Sequence, residues 1–167
     1  VQGFAGFEIT PLDRVVDFMW GLGLASIILS YATLLKDKIS PYGENFKYGY
    51  YMAGILVLGS TLIDLGQAMV HSDPEAYAID TSPTFLVVAW MIISTYYLSE
   101  GVIDNLYRYL MLLGGVFGLI TTSANVFFGY DALTELPEVF QFVFLIPWLG
   151  FTFGVGLGAI TAWGNKD

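Results

Sequence analysis

Apolar residues in this chain gather into runs too long for the helices and strands of most soluble domains, and the polar residues collect between them. Five runs, at about residues 15–35, 48–69, 83–103, 106–128 and 140–163, each reach the roughly 20 residues that a helix needs to cross a bilayer. Barrel strands are about 10 residues long and alternate in polarity, which these runs do not. The pattern predicts an all-α integral membrane protein, a single domain over residues 1–167 forming a bundle of five transmembrane helices.

Helix breakers fall in the connectors. Ser40-Pro41-Tyr42-Gly43 is a turn signal after the first run. Pro74, Asp80 and Pro83 punctuate the second connector, and Gly129, Asp131 and Pro137 the fourth. The third connector is short, at Asp104 and Asn105. If the runs alternate across the bilayer, Lys36, Lys38, Lys47, Arg108 and Lys166 share one side and Arg14 stands on the other. The positive-inside rule makes the basic side cytoplasmic, so an extracytoplasmic N-terminus, a cytoplasmic C-terminus and a place in the cell membrane are expected. A leader removed before Val1 would fit that arrangement.

The acids follow the same frame. Nine lie on the outer side against Arg14, five lie on the inner side against five bases, and Asp64 within the second run completes the net charge of −9. Tyr42, Tyr48, Tyr50, Tyr51, Tyr96, Tyr97, Tyr107 and Tyr109 cluster at the inner boundary. Trp20, Phe127, Phe128, Tyr130 and Phe140 gather toward the outer one, so two interfacial belts are expected.

Composition narrows the chemistry. The chain is 56% hydrophobic and 13% charged, about half the charge of a typical soluble domain. Cysteine is absent, which removes disulfides, thiolate metal sites and cysteine nucleophiles. His71 is the single histidine, so two-histidine haem ligation within this chain is impossible. No lysine lies inside a run, which argues against a retinal Schiff base. The negative charge opposes nucleic acid as a partner.

Four features carry candidate chemistry. Ser60, Asp64, Gln67 and His71 are spaced 4, 3 and 4 apart and share one helix face. A carboxylate in a bilayer faces protein or water, so this stripe reads either as an ion or proton site or as a buried hydrogen-bonded link. The preferred reading is the link, with Thr121, Thr122, Ser123 or Asn125 as partner. His71, Asp73 and Glu75 form a short run with zinc or copper ligand types, but a solvated acidic loop is the simpler reading.

Small residues at helical spacing form the third feature: Gly150, Gly154, Gly158 and Ala162, then Gly114 and Gly118, then Gly21 and Ala25. They predict close helix packing, within the chain or against another subunit. Fourth, Pro147 predicts a kink, and Glu100, Asp104 and Arg108, each four apart, suggest an ion-pair ladder. Gly154-Val155-Gly156-Leu157-Gly158 resembles a dinucleotide loop only superficially, because no strand precedes it.

The functional expectation is a chain that is not catalytic by itself: a multi-pass subunit that stabilises a larger respiratory, oxygenase or transport complex. Membrane lipids, some bound in its grooves, and other membrane subunits are the expected partners, in a hetero- or homo-oligomer. No cofactor is expected. The alternative is a small cation or proton channel or transporter using Asp64.

Overall fold

The computed structural model describes residues 11–70, 79, 81–128 and 145–164. Among these the elements are helices, with no strand. They are α1 (Pro11–Leu34), α2 (Lys36–Ile39), two 3-10 turns (Ser40–Tyr42 and Glu44–Phe46), α3 (Lys47–Val70), α4 (Ser82–Leu98) and α5 (Asn105–Phe128). A C-terminal rod follows, made of α6 (Leu145–Leu149), a π-helical segment (Gly150–Leu157) and α7 (Gly158–Gly164).

Among the described residues, three helices are long and apolar enough to cross a membrane: Val15–Leu34 of α1, all of α3 and all of α5. The 24 residues of α3 or α5 extend about 36 Å at a rise of 1.5 Å each, more than the roughly 30 Å hydrocarbon core. Pro83–Leu98 of α4 is apolar but shorter.

α4 ends at Leu98, short of the residue 103 expected from hydropathy. Gly101 adopts φ +75°, a left-handed conformation that stops a helix and that glycine tolerates without a Cβ clash. The Val102 and Ile103 amides both donate to the Ser99 carbonyl at 3.0 Å. Ile103 is buried, so its apolar character serves the end of the bundle rather than another helical turn.

The helices form a closed ring. α1 packs on α3, α3 on α4, α4 on α5, α5 on the C-terminal rod, and the rod returns to α1. Successive neighbours run antiparallel: Tyr31 late in α1 stacks on Tyr50 early in α3 with ring centroids 6.3 Å apart, while Gly21, earlier in α1, lies against Thr61, later in α3. The rod runs parallel to α1, with Trp20 Nε1 donating to Thr152 Oγ1 at 3.1 Å and Gly156 facing Ile27.

Glycine permits the closest approach. A Cβ on Gly150 would overlap the Gly114 Cα, and one on Gly154 would lie 2.6 Å from the Met111 nitrogen. A Cβ on Gly158 would come within 2.9 Å of Met111 Cε. The rod's glycine stripe therefore faces α5 of the same chain, backbone against backbone.

The irregularity expected at Pro147 begins after it. Pro147 is buried in α6, and the π-helical turns occupy the next residues but two, where Gly150, Gly154 and Gly156 impose no side chains. π-Helical turns have i→i+5 bonding and break the regular α ladder. Here the Val155 carbonyl accepts both the Gly158 amide and the Tyr31 hydroxyl, the latter at 2.8 Å.

Two buried tyrosines tie the ring from inside. Tyr31 and Tyr50 are each 1% exposed. Thr95 donates its single hydroxyl proton to the Met91 carbonyl at 2.7 Å, so Tyr50 is the donor in its 3.0 Å bond to Thr95. Tyr50 thus belongs to the core and not to the interfacial belt its neighbours suggest. Among the described tyrosines, Tyr42, Tyr48, Tyr51, Tyr97 and Tyr109 are exposed.

The glycine contacts predict a sharp contrast in stability. Gly150→Leu or Gly114→Leu forces overlapping backbones apart and should cost about 1–3 kcal/mol or more. Gly59→Ala meets nothing within 4 Å and should stay within about 0.5 kcal/mol of the parent. Thermal unfolding in detergent reads both; equal losses would contradict the assigned seam.

Candidate functional site

The polar stripe on α3 becomes a clasp near one end of the bundle. Helical spacing puts Ser60, Asp64 and Gln67 on one face of α3, and their partners differ. Ser60 is buried and donates to the Val57 carbonyl one turn earlier at 3.0 Å, so its polarity is satisfied within α3. Asp64 and Gln67 reach across to the chain that enters α4.

Thr81 donates its hydroxyl to both carboxylate oxygens of Asp64, at 3.0 Å each. Thr81 is the N-cap of α4, yet its side chain makes no capping bond to its own helix. The hydroxyl that would normally cap α4 is given to Asp64. In return, a carboxylate stands beside the positive end of the α4 dipole, where negative charge is favoured. The α4 backbone closes locally instead, through the Thr84 amide and the Thr81 carbonyl.

Gln67 adds a two-bond link. Its amide nitrogen donates to the Ile79 carbonyl at 3.0 Å, and the Ile79 amide donates to Gln67 Oε1 at 2.7 Å. One side chain therefore satisfies a donor and an acceptor of the incoming backbone. Together the two residues fix where the chain joins α4.

The partner sought for Asp64 on the fourth helix, among Thr121, Thr122, Ser123 and Asn125, is instead Thr81. The reason is register. Tyr50 meets Thr95, Asp64 meets Thr81 and Gln67 meets Ile79, as in a regular antiparallel pairing of α3 with α4. Thr121 bonds back to the Phe117 carbonyl of its own helix. A Thr-Ser-Pro start signal at the mouth of α4 was the available sequence clue.

His71, Asp73 and Glu75 lie outside the described residues. Among the described residues, no group of three His, Cys, Asp or Glu side chains is placed to hold a metal ion.

The packing residues come together as two seams. Gly150, Gly154 and Gly158 line the seam with α5, where Gly114 meets Gly150 and Gly118 meets the Phe151 ring. Ala162 continues the stripe as a buried residue. Gly21 faces Thr61, and Ala25 presents its carbonyl toward Gly54, so both serve the α1–α3 seam. Gly54 and Gly115, absent from the spacing pattern, make equally close contacts: Gly54 with Leu29, and Gly115 with Ile93.

At the other end, Arg108 departs from the expected ladder with Glu100 and Asp104. Its Nε donates to the Tyr96 carbonyl at 3.2 Å and its Nη1 to Asn105 Oδ1 at 2.9 Å. The guanidinium also lies 4.9 Å from the Tyr96 ring centroid, a cation–π arrangement. Asp104 accepts the Leu106 amide at 2.8 Å and so caps the start of α5. The tight turn, with Gly101 left-handed, favours these short-range backbone partners over an ion-pair ladder.

The clasp predicts a graded response. Thr81→Val removes the donor and should cost about 0.5–1.5 kcal/mol. Asp64→Asn keeps an acceptor oxygen and should cost less than Asp64→Ala. Unfolding of the purified variants decides; an Asp64→Ala protein as stable as the parent would contradict the clasp. Compared with known protein families, characterised proteins and solved structures, the chain shows no match.

Proposed function

We propose that the chain is a five-span integral membrane protein of the cell membrane, with its N-terminus outside and its C-terminus in the cytoplasm, acting as a non-catalytic subunit that braces a larger membrane complex. In this reading α4 and the C-terminal rod complete the three long helices. The basic residues at one end and the acids at the other support the orientation.

One observation carries the functional reading: polar groups are spent inside the bundle while large apolar groups face outward. The hydroxyls of Tyr31, Tyr50, Ser60, Thr95 and Ser99 bond to backbone carbonyls or to each other. Outside stand Met19 on α1, Ile55 on α3, Trp90 on α4, Ile120 on α5 and Ile160 on the rod, all more than half exposed. Large apolar side chains exposed on every long helix suit a surface that faces lipid rather than water. Lipid and neighbouring subunits are the surroundings that would cover it. Since the glycine seams close within the chain, the docking surface for a neighbour is this outer face.

A second reading rests on Asp64, a partly exposed carboxylate within a long apolar helix. There it would serve a cation or proton pathway, with Gln67 and, four residues further along the sequence, His71.

Purification from native membranes in mild detergent tests the first reading. It expects partner polypeptides in fixed stoichiometry with the chain; a monodisperse, partner-free chain contradicts it. Reconstitution of Asp64→Asn in liposomes tests the second. Charge-dependent flux in the parent, lost in this variant, would favour transport.

A further inference from the structure

Between the α1–α3 connection and the end of α4 lies an open cleft of about 390 Å³. Asp37 and Lys38 on α2 and Tyr42 of the first 3-10 turn form one wall; Tyr97, Leu98 and Glu100 form the other. Ligand sites commonly occupy about 300–1,000 Å³. The cleft lies where α1 ends at Leu34, α3 begins at Lys47 and α4 ends at Leu98. If these helices cross a bilayer, that level is the headgroup zone, so the inference rests on the membrane-spanning reading above.

The lining has the charge pattern of a zwitterion's complement. One cation, Lys38, shares the cleft with two carboxylates, Asp37 and Glu100. Among the described residues, none of these three charged groups is engaged in an intramolecular hydrogen bond or ion pair. Tyr42 and Tyr97 are 69% and 67% exposed, with hydroxyls able to donate to phosphate or ester oxygens. Leu98 supplies an apolar surface at the same place.

We propose that this cleft binds a phospholipid with a primary-ammonium headgroup. The phosphate sits by Lys38 and the ammonium lies between Asp37 and Glu100, donating N–H bonds to their carboxylates. Charge-assisted bonds of this kind are about twice as strong as neutral ones. A quaternary ammonium has no N–H to donate. An anionic headgroup without an amine meets two acids against one base. The cleft is therefore selective by hydrogen bonding and by charge.

The test uses the full chain, expressed in membranes and purified in detergent. Phosphatidylethanolamine, phosphatidylcholine and phosphatidylglycerol with matched acyl chains are titrated separately, and bound lipid is read by native mass spectrometry. The parent should retain the ethanolamine lipid about tenfold more strongly than either of the others, the factor of roughly one additional charge-assisted bond. In the double variant Asp37→Asn/Glu100→Gln that preference should vanish. Both residues are exposed, so its unfolding temperature should match the parent's. Equal retention of the three lipids by the parent, or an unchanged preference in the variant, overturns the proposal. A membrane-borne chain without the preference removes only the cleft; a chain that does not fractionate with membranes removes the spanning reading as well.

Discussion

Gly114 and Gly150 touch backbone to backbone, and the architecture depends on that contact. A methyl group on Gly150 would overlap the opposite Cα, and a little farther along Gly154 leaves equally little room beside Met111. Such proximity seats the C-terminal rod against α5 along several turns. It also sets the rod's distance from α1, on its other flank. Only from that position does the Val155 carbonyl come within 2.8 Å of the Tyr31 hydroxyl and Thr152 within 3.1 Å of Trp20. The glycine seam and the buried tyrosine are thus two parts of one closure.

The polar bonds then act where water is scarce. Tyr31 joins α1 to the rod, and Tyr50 joins α3 to α4, while their rings stack on each other. Interhelical hydrogen bonds in membrane proteins average only about 0.6 kcal/mol, so none of these alone holds the ring together. Their value is in register. Each fixes one depth at which two helices must meet, and Asp64–Thr81 and Gln67–Ile79 repeat the same α3–α4 register farther along. A bundle held at several depths has few ways to slide. Ser60, Asp64, Gln67, Thr95 and the two buried tyrosines all bond within the bundle, and those between helices hold their neighbours in place.

Much of the helical content was legible in the sequence because long apolar runs have few structural outlets. The runs near residues 48–69 and 106–128 correspond closely to α3 and α5. The run through residue 103 misled because Val102 and Ile103 are apolar for a different reason: they follow a left-handed Gly101 and pack as a turn. Spacing revealed the rod's glycine stripe but not its partner, since a one-dimensional pattern does not say which helix faces it. Gly54 and Gly115 escaped notice because each makes its contact outside any such repeat. Tyr50 was hidden among exposed tyrosines of the same composition. The clasp was half visible: the Asp64 face follows from helical geometry, whereas Thr81 required the α3–α4 register.

The chain's freedom from cysteine allows a direct test of the closure. Leu113 on α5 and Leu149 at the end of α6 flank the Gly114–Gly150 contact, and both are exposed. Spin labels at single cysteines introduced there, in protein diluted with an excess of unlabelled chain in lipid, report the distance between them by pulsed electron resonance or by continuous-wave broadening. The closure predicts a short separation, consistent with helix axes about 8–10 Å apart, and one that dilution leaves unchanged. A separation that lengthens beyond neighbouring-helix range, or a short distance that disappears on dilution, would show that the glycine stripes do not meet within one chain.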